Sequence, residues 1–325
     1  MKVITKLKIY CMGLAVLLVF FPRVSLAWPF QNQHSCSDIS ERGYLNVLSV
    51  NLLYSEFRNR ETRLQNIVNF IVQQSEQGEP VDIILLQEVV GGILSGTQNS
   101  SYDLKELLSE RGLEYNLQYV LVNRIPGVIT VGNAILSRCK IIFTLATTLP
   151  SAWEELSEGF GIPLIRKPMM SRIKIPGFGK IDVYNTHLCA FCDPADRLQQ
   201  TQALLEFITN VEKIIWWSED PIILGGDFNI NLNTSGEDST YDEMMDFGFI
   251  DTYSTANGCY SCCSDEEGYL GCTYGVSGNP YAEEPARIDY IFTKGLNVLS
   301  SKVVFHSDPY WVSDHSGLLS KIDLD

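Results

Sequence analysis

Residues 221–231 read Pro-Ile-Ile-Leu-Gly-Gly-Asp-Phe-Asn-Ile-Asn. The apolar run Ile222 to Leu224 is short enough for a buried strand, and two glycines stop it. Gly225 and Gly226 carry no Cβ, so the backbone there can turn tightly or lie close to a neighbour. Beyond them, Asp227 and Asn229 are two apart, so in extended chain they point one way and Phe228 the other. A carboxylate beside a carboxamide at the carboxyl end of a buried strand is a hard-oxygen platform. It can hold Mg2+, orient a water or bind a phosphoryl oxygen. The plain alternative is an Asx-rich turn, since Asp and Asn are ordinary turn residues. The rest of the chain decides between them.

Upstream, Leu45 to Leu53 alternates as a strand ending at Asn51, and residues 60–74 place Leu64, Ile67, Val68 and Ile71 at helical spacing. Val81 to Leu86 is a second buried strand that delivers Gln87 and Glu88. Residues 91–101 read as a loop and 103–111 as a short helix. Tyr115–Val122, Thr130–Leu136 and Lys140–Leu145 follow as strands whose short connections imply antiparallel pairing. Residues 150–168 have no clear period and read as a loop. Met170–Ile175 and Lys180–Thr186 form a hairpin, and Arg197–Ile215 is a helix leading into the opening strand. Downstream come a short helix at 240–247, a cysteine- and glycine-rich loop from Ala256 to Ala286, and strands at Arg287–Thr293, Lys302–His306 and Gly317–Ile322. Two sheets packed face to face with helices outside fit this mixed order better than a doubly wound parallel sheet.

Lys2, Lys6 and Lys8, an apolar run from Ile9 to Phe21, and Ser25-Leu26-Ala27 make residues 1–27 a secretory signal peptide by pattern. The expected organisation is this leader, a polar, loosely held lead-in at 28–43, and one catalytic domain at 44–325. Cleavage near Ala27 would remove four basic residues and no acids, taking the formal charge from −15 to −19. That acidic excess disfavours salt-driven binding to nucleic acid or anionic lipid, but not a site where metal ions supply positive charge. Eight cysteines remain beyond the leader: Cys36, Cys139, Cys189, Cys192, Cys259, Cys262, Cys263 and Cys272. In an exported chain an even set points to disulfides rather than zinc.

Polar residues recur where apolar runs end: Asn51, Glu88, His187, Asp227 with Asn229, Asp289, and Asp314 with His315. Each has an ordinary structural explanation, Glu88 as a turn cap and His187 as a core histidine among them. Asp289 within Arg-Ile-Asp-Tyr-Ile-Phe is harder to explain that way, because a carboxylate in a buried strand needs a partner. Together the set is coherent. Asn51, Glu88 and Asp314 offer oxygen ligands to a divalent cation. Asp289 can polarise His315 to take a proton from water, Asp227 can position that water, and His187 and Asn229 can donate to phosphoryl oxygens.

The chain resembles the endonuclease/exonuclease/phosphatase superfamily, which includes DNase I, neutral sphingomyelinases and inositol polyphosphate 5-phosphatases. The resemblance rests on Leu-Ser-Val-Asn51-Leu, Ile-Leu-Leu-Gln-Glu88-Val, Gly132-Asn-Ala-Ile-Leu-Ser-Arg138, Tyr-Asn-Thr-His187-Leu, Gly-Gly-Asp227-Phe-Asn229, Arg287-Ile-Asp289-Tyr-Ile and Ser313-Asp314-His315, in the family's order. It implies a four-layered α/β sandwich, two packed mixed sheets flanked by helices, dependence on Mg2+ (Mn2+ or another divalent cation as substitutes), and His315 as general base. Tyr-Asn-Thr-His-Leu, the Arg197-x-x-Gln200 helix and Arg-Ile-Asp-Tyr-Ile-Phe look most like the sphingomyelinase branch. The expectation is a secreted, monomeric enzyme that meets its phospholipid at a membrane surface, with the segment Trp153–Met170 and Tyr310-Trp311 as candidate lipid contacts. One departure is that only 24 residues lie between Asp289 and Asp314, too few for the aromatic hairpin of secreted bacterial sphingomyelinases. The alternatives are a DNase I-type nuclease acting on nucleic acid, with Arg138, Arg172 and Arg197 among its few basic residues near the site, a phosphomonoesterase or inositol phosphatase, and a non-catalytic binding module.

Overall fold

Alternation does in three dimensions what it promises in the sequence. In the strand Tyr44–Asn51, Leu45 and Val47 face one side and Leu48 and Val50 the other, and each pair lands in a different core. The computed structural model describes residues 25–27, 36–55, 59–157, 160–214, 220–264, 270–275, 284–306 and 311–324. Its strands are β1 (Ser25–Ala27), β2 (Tyr44–Asn51), β3 (Ile83–Gly91), β4 (Asn116–Ile125), β5 (Ile129–Ser137), β6 (Lys140–Ala146), β7 (Ala152–Ser157), β8 (Phe160–Leu164), β9 (Met169–Ile175), β10 (Gly179–His187), β11 (Ile222–Asp227), β12 (Ile250–Asp251), β13 (Asp289–Lys294), β14 (Val298–Val304) and β15 (Gly317–Asp323). The helices are α1 (Asp38–Arg42), α2 (Arg60–Glu76), α3 (Ser100–Glu110), α4 (Pro194–Ile214), α5 (Asp238–Asp246) and α6 (Thr252–Asn257).

A seven-stranded sheet runs β1-β6-β9-β10-β11-β13-β12, and a six-stranded sheet runs β14-β15-β2-β3-β5-β4. Between them lies a core that includes Leu45, Val47, Leu85, Val183, Ile223 and Ile291. A second core sits between the six-stranded sheet and α2 and α3, with Leu64, Ile67 and Leu104 packed on Leu48 and Leu86. The third joins α4 and α5 to the other sheet through Leu204, Ile208 and Met244 against Tyr184, Leu224 and Phe292. These layers are the expected four-layered α/β sandwich. At Gly225 of β11 the two sheets lie so close that an added Cβ would sit 2.6 Å from Leu85 Cδ1. Among the described residues no helix is long and apolar enough to cross a membrane.

Two expectations need correction. Residues 150–168 are not a loop but mostly the hairpin β7–β8. These two strands form a sheet of their own, paired through the backbone ladder, and their sequence carries no period-2 alternation from which to read them. Of the lead-in, residues 28–35 lie outside the described residues, and residues 36–43 are not loosely held: Cys36 is bonded to Cys139, α1 follows, and Ile39 is fully buried in the inter-sheet core. Of the leader, residues 1–24 lie outside the described residues, and Ser25–Ala27 pair antiparallel with β6. All eight cysteines are paired, as Cys36–Cys139, Cys189–Cys192, Cys259–Cys262 and Cys263–Cys272. The helix α6, just before the cysteine-rich loop, was not foreseen.

Gly226 carries the tightest backbone contact near the site. Its φ is +140°, and a Cβ there would sit 2.0 Å from the Thr186 carbonyl oxygen. Gly226→Ala is expected to cost about 3 kcal/mol or more. A urea titration with an unchanged midpoint would sink this account.

Candidate active site

Strand parity aims the polar side chains. Asn51 shares a face of β2 with Leu45 and Val47, and Asp227 shares a face of β11 with Ile223, so both point between the sheets at their carboxyl ends. On the neighbouring strands the pairing register sets His187 of β10 opposite Asp227, and Asp227 opposite Asp289 of β13. Three of the candidate residues thus stand side by side on three adjacent strands. Glu88 is delivered differently. The β3–β5 register shifts between Leu86 and Val89, and Glu88 takes φ 54°, so a bulge turns its side chain into the cleft. Asn229 likewise has φ 53°. Non-glycine residues in this region are uncommon and cluster at functional sites.

Asp227 is the hub. Its Oδ2 accepts a hydrogen bond from Asn51 Nδ2 at 2.9 Å and lies 3.5 Å from His187 Nε2 and 3.7 Å from His315 Nε2. Its Oδ1 accepts the Asn229 backbone N–H at 3.0 Å, and Asn229 Nδ2 donates to the Leu188 carbonyl. His315 Nδ1–H donates to Asp289 Oδ2 at 2.8 Å. Glu88 Oε2 accepts the Tyr54 N–H at 2.8 Å, and Asn51 Oδ1 accepts the Leu53 N–H. Asp314 accepts from the Ser313 hydroxyl and is close enough to Glu88 to raise its pKa. All eight residues singled out in the sequence therefore converge. Beneath them Gln87 Nε2 donates to Asn185 Oδ1 at 2.7 Å, and Asn185 Nδ2 donates to the carbonyls of Leu86 and Ala134, bonding the two sheets below the cleft.

Burial in this low-dielectric corner sets the protonation states. It pushes the Asp227 carboxyl up to about 7, with Asp289 and Glu88 adding to the rise and His315 and Asn51 opposing it. Glu88 is raised by burial and by Asp314. Burial acts to lower His315, but Asp289, Asp227 and Asp314 outweigh it and hold the imidazole well above its ordinary value. His187 is held well below, by burial and then by Arg166 and His315, so its ring is neutral near pH 7.

The donor set fits a hard divalent cation. Glu88 and Asp314 are carboxylates, and the Asn51 amide oxygen accepts one backbone N–H with a second lone pair to spare. Ligand atoms of Asp227, Asp289 and His315 also lie within 4.8 Å of one another, and Asp289 Oδ1 has no hydrogen-bond partner among the described residues. A cation held by that trio would compete with the 2.8 Å His315–Asp289 bond, whereas one at Glu88 and Asp314 leaves it intact.

Beside Glu88 and His187 opens a cavity of about 340 Å3, lined also by Tyr54, Ile125, Leu164 and Phe191. Arg124 and Arg166 line it too, and exposed apolar side chains stand at and near its edge. Phe191 is 64% exposed and Ile93 79%, and Leu94, Ile125, Ile165 and Tyr54 are exposed as well. The Leu94 N–H donates to the Val128 carbonyl, and Asn123 exchanges side-chain hydrogen bonds with the backbone of Ile165, which ties both tips to the β4–β5 hairpin that lines the cavity. Of the lipid contacts expected from sequence, the side chains of residues 152–163 and Tyr310 lie outside the described residues, and Trp311 is half-buried. The tips Ile93, Leu94 and Phe191 were missed, having no pattern around them to read. The three arginines noted for DNA contact are committed elsewhere: Arg138 to Asp38 and Asp82, Arg172 to Asp182 and Asp220, Arg197 to Glu237. Asp182 and Asp220 mark the opposite, amino-terminal ends of β10 and β11.

A family model described as the Endonuclease/Exonuclease/phosphatase family matches residues 45–315. A search of curated proteins found no match. Among solved structures, an endonuclease/exonuclease/phosphatase family protein from Leptotrichia buccalis superposes with a TM-score of 0.61 at 24% identity, covering 86% of this chain and 99% of that one. The human Nocturnin catalytic domain with bound sulfate gives 0.58 at 19% identity, covering 87% and 94%. A mannosyl-6-phosphatase from Bacteroides thetaiotaomicron gives 0.54 at 20% identity, covering 86% and 98%. At these identities the likeness is one of fold.

The raised Asp227 pKa has a signed consequence for the metal-free protein. The folded state keeps a proton that the unfolded chain releases near 3.8, so this contribution to stability is present below that value and lost as pH rises through about 7. In EDTA, Asp227→Asn should therefore gain on the wild type by several degrees of melting temperature between about pH 4 and pH 8, while losing turnover. A difference in melting temperature that ignores pH would refute the burial account.

Proposed function

This chain belongs to the endonuclease/exonuclease/phosphatase family of phosphoester hydrolases, and from that premise we propose that it is a secreted, Mg2+-dependent phosphodiesterase of the phospholipase C type, cleaving sphingomyelin to ceramide and phosphocholine. The observation that carries the lipid substrate is the set of exposed apolar side chains at and near the edge of the cavity beside Glu88 and His187. Arg138, Arg172 and Arg197 are spent on internal ion pairs, and Arg124 and Arg166, which do line the cavity, suit a lipid headgroup phosphate. Exposed aromatic and aliphatic tips suit a zwitterionic lipid surface, to which an acidic protein is not electrostatically repelled. The leader-like start and four disulfides support export. The enzyme works as a monomer, touching the membrane only at its surface.

In this reading Glu88, Asn51 and Asp314 would hold the divalent cation, which would supply positive charge to offset that of the phosphate. Neutral His187 and the Asn229 carboxamide donate hydrogen bonds to the phosphoryl oxygens. Water attacks phosphorus in line with the ceramide oxygen, whose bond to phosphorus breaks, and the departing ceramide oxygen takes a proton from solvent. The proton of the attacking water passes to the Asp227–His315 pair, whose facing atoms are 3.7 Å apart. Asp289 fixes the His315 ring and its tautomer through Nδ1. Asn51 has a second task, since its Nδ2–H aims Asp227.

Purified protein with Mg2+ is expected to release phosphocholine from sphingomyelin liposomes and to stop when EDTA is added. Nicked plasmid with untouched liposomes would overturn the substrate. His315→Ala should lower kcat by about 100- to 10,000-fold with the fold intact by circular dichroism; retained activity removes it from the proton path. Leu94→Glu with Ile125→Glu should slow liposome turnover by about tenfold or more while sparing a soluble phosphodiester. Equal loss on both substrates would argue against lipid docking.

A further inference from the structure

The cysteine-rich segment before β13 meets the Asp289–His315 pair at two points. Thr273 is fully buried. Its hydroxyl oxygen accepts the backbone N–H groups of Ile288 at 3.1 Å and Asp289 at 3.0 Å, which uses both of its lone pairs. Its own N–H donates to the Ala286 carbonyl, and its carbonyl accepts the N–H of Ser316, the residue after His315, at 2.6 Å. Tyr274 forms bridges to Ala286 and to His315, and its ring centroid lies 5.0 Å from the imidazole. Immediately upstream, Cys272 is bonded to Cys263, whose carbonyl accepts from Asn233 Nδ2 on the chain that leaves Asp227. Gly271 lies against the Cys259–Cys262 pair so closely that a Cβ would sit 2.1 Å from the Cys262 carbonyl oxygen.

We propose that Thr273 and Tyr274, clamped by the Cys263–Cys272 disulfide, are positioning residues that set the geometry of the Asp289–His315 pair. The inference rests on the catalytic roles given above for those two residues. Asp289 belongs to β13 in the seven-stranded sheet, whereas His315 precedes β15 in the six-stranded one, so no strand register fixes one against the other. Thr273 supplies that register. Its side chain holds the Asp289 backbone, its carbonyl holds the His315–Ser316 backbone, and the cysteine bridges anchor it from behind. The segment is thus part of the proton machinery without touching substrate.

Thr273→Val keeps the shape and deletes the acceptor, and Thr273→Ser restores it. With a soluble phosphodiester and Mg2+, Thr273→Val is expected to lose about 100-fold in kcat, with KM changed by less than about threefold, while Thr273→Ser stays near wild type. A second readout needs no substrate: the low-field proton resonance of His315 Nδ1–H, assigned by its loss in His315→Asn. It should shift or vanish in Thr273→Val and persist in Thr273→Ser. Wild-type kcat and resonance in Thr273→Val, or equal damage from Val and Ser, overturn the proposal. If Thr273→Val does not fold, the Cys263→Ser/Cys272→Ser double variant carries the same expectation, and an unchanged resonance there overturns it. A wild-type protein that turns over no phosphoester sinks the functional reading alone, and the resonance still decides the positioning.

Discussion

The carboxylate of Asp227 is 1% exposed and stands where the two sheets meet. It takes the Asn51 side-chain N–H from one sheet and the Asn229 backbone N–H from its own, with two imidazoles within 4 Å. An ionised carboxylate in that position is costly unless its neighbours answer its charge and fill its lone pairs. That demand explains much of what surrounds it. The amide of Asn51 must be aimed, so β2 must end there. The glycines before Asp227 must be glycines, so that β11 can press against Thr186 and Leu85. Asp289 must hold His315 from behind, so that the imidazole presents its other nitrogen forward.

The polar layer under the cleft answers the same constraint. Gln87 and Asn185 are fully buried between two sheets whose shared face is mostly hydrophobic, with Ser49 beside Gln87. Their mutual bond and the bonds of Asn185 to two carbonyls of the opposite sheet make this end of the sandwich less able to slide than a purely apolar contact would be. The cleft floor is therefore held by directional bonds, and the rim above it by loops.

Much of this was legible in the sequence because it is written locally. A run such as Ile-Ile-Leu-Gly-Gly-Asp-Phe-Asn states its own strand, its own stop and its own polar residues, and seven such runs in order identify the family. Strand parity then predicts which residues share a face. What sequence could not give is what long-range pairing decides. The β7–β8 hairpin has apolar residues without alternation, so nothing separates it from a loop until the two strands are seen paired. Asn51 looked like a cation ligand, and only the approach of the second sheet reveals that its Nδ2 faces Asp227. Thr273 carries no signal at all: one threonine after a cysteine becomes informative only when two backbone N–H groups converge on it. The lead-in reads as polar and loose, yet one bridge between residues 103 apart ties it to the core.

The six-stranded sheet pairs β15, from the end of the chain, with β2, from near its start, setting Leu318 against Ser49. Contacts of such long sequence separation form late, and they are the reason topology slows folding. A ribosome that has released everything up to β13 has made six of the eight site residues, but the strand that completes this sheet and the His315 that precedes it do not yet exist. The candidate cluster and this sheet are therefore closed by the same late stretch, residues 314–323, which brings Asp314, His315 and the β15 partner of β2 together.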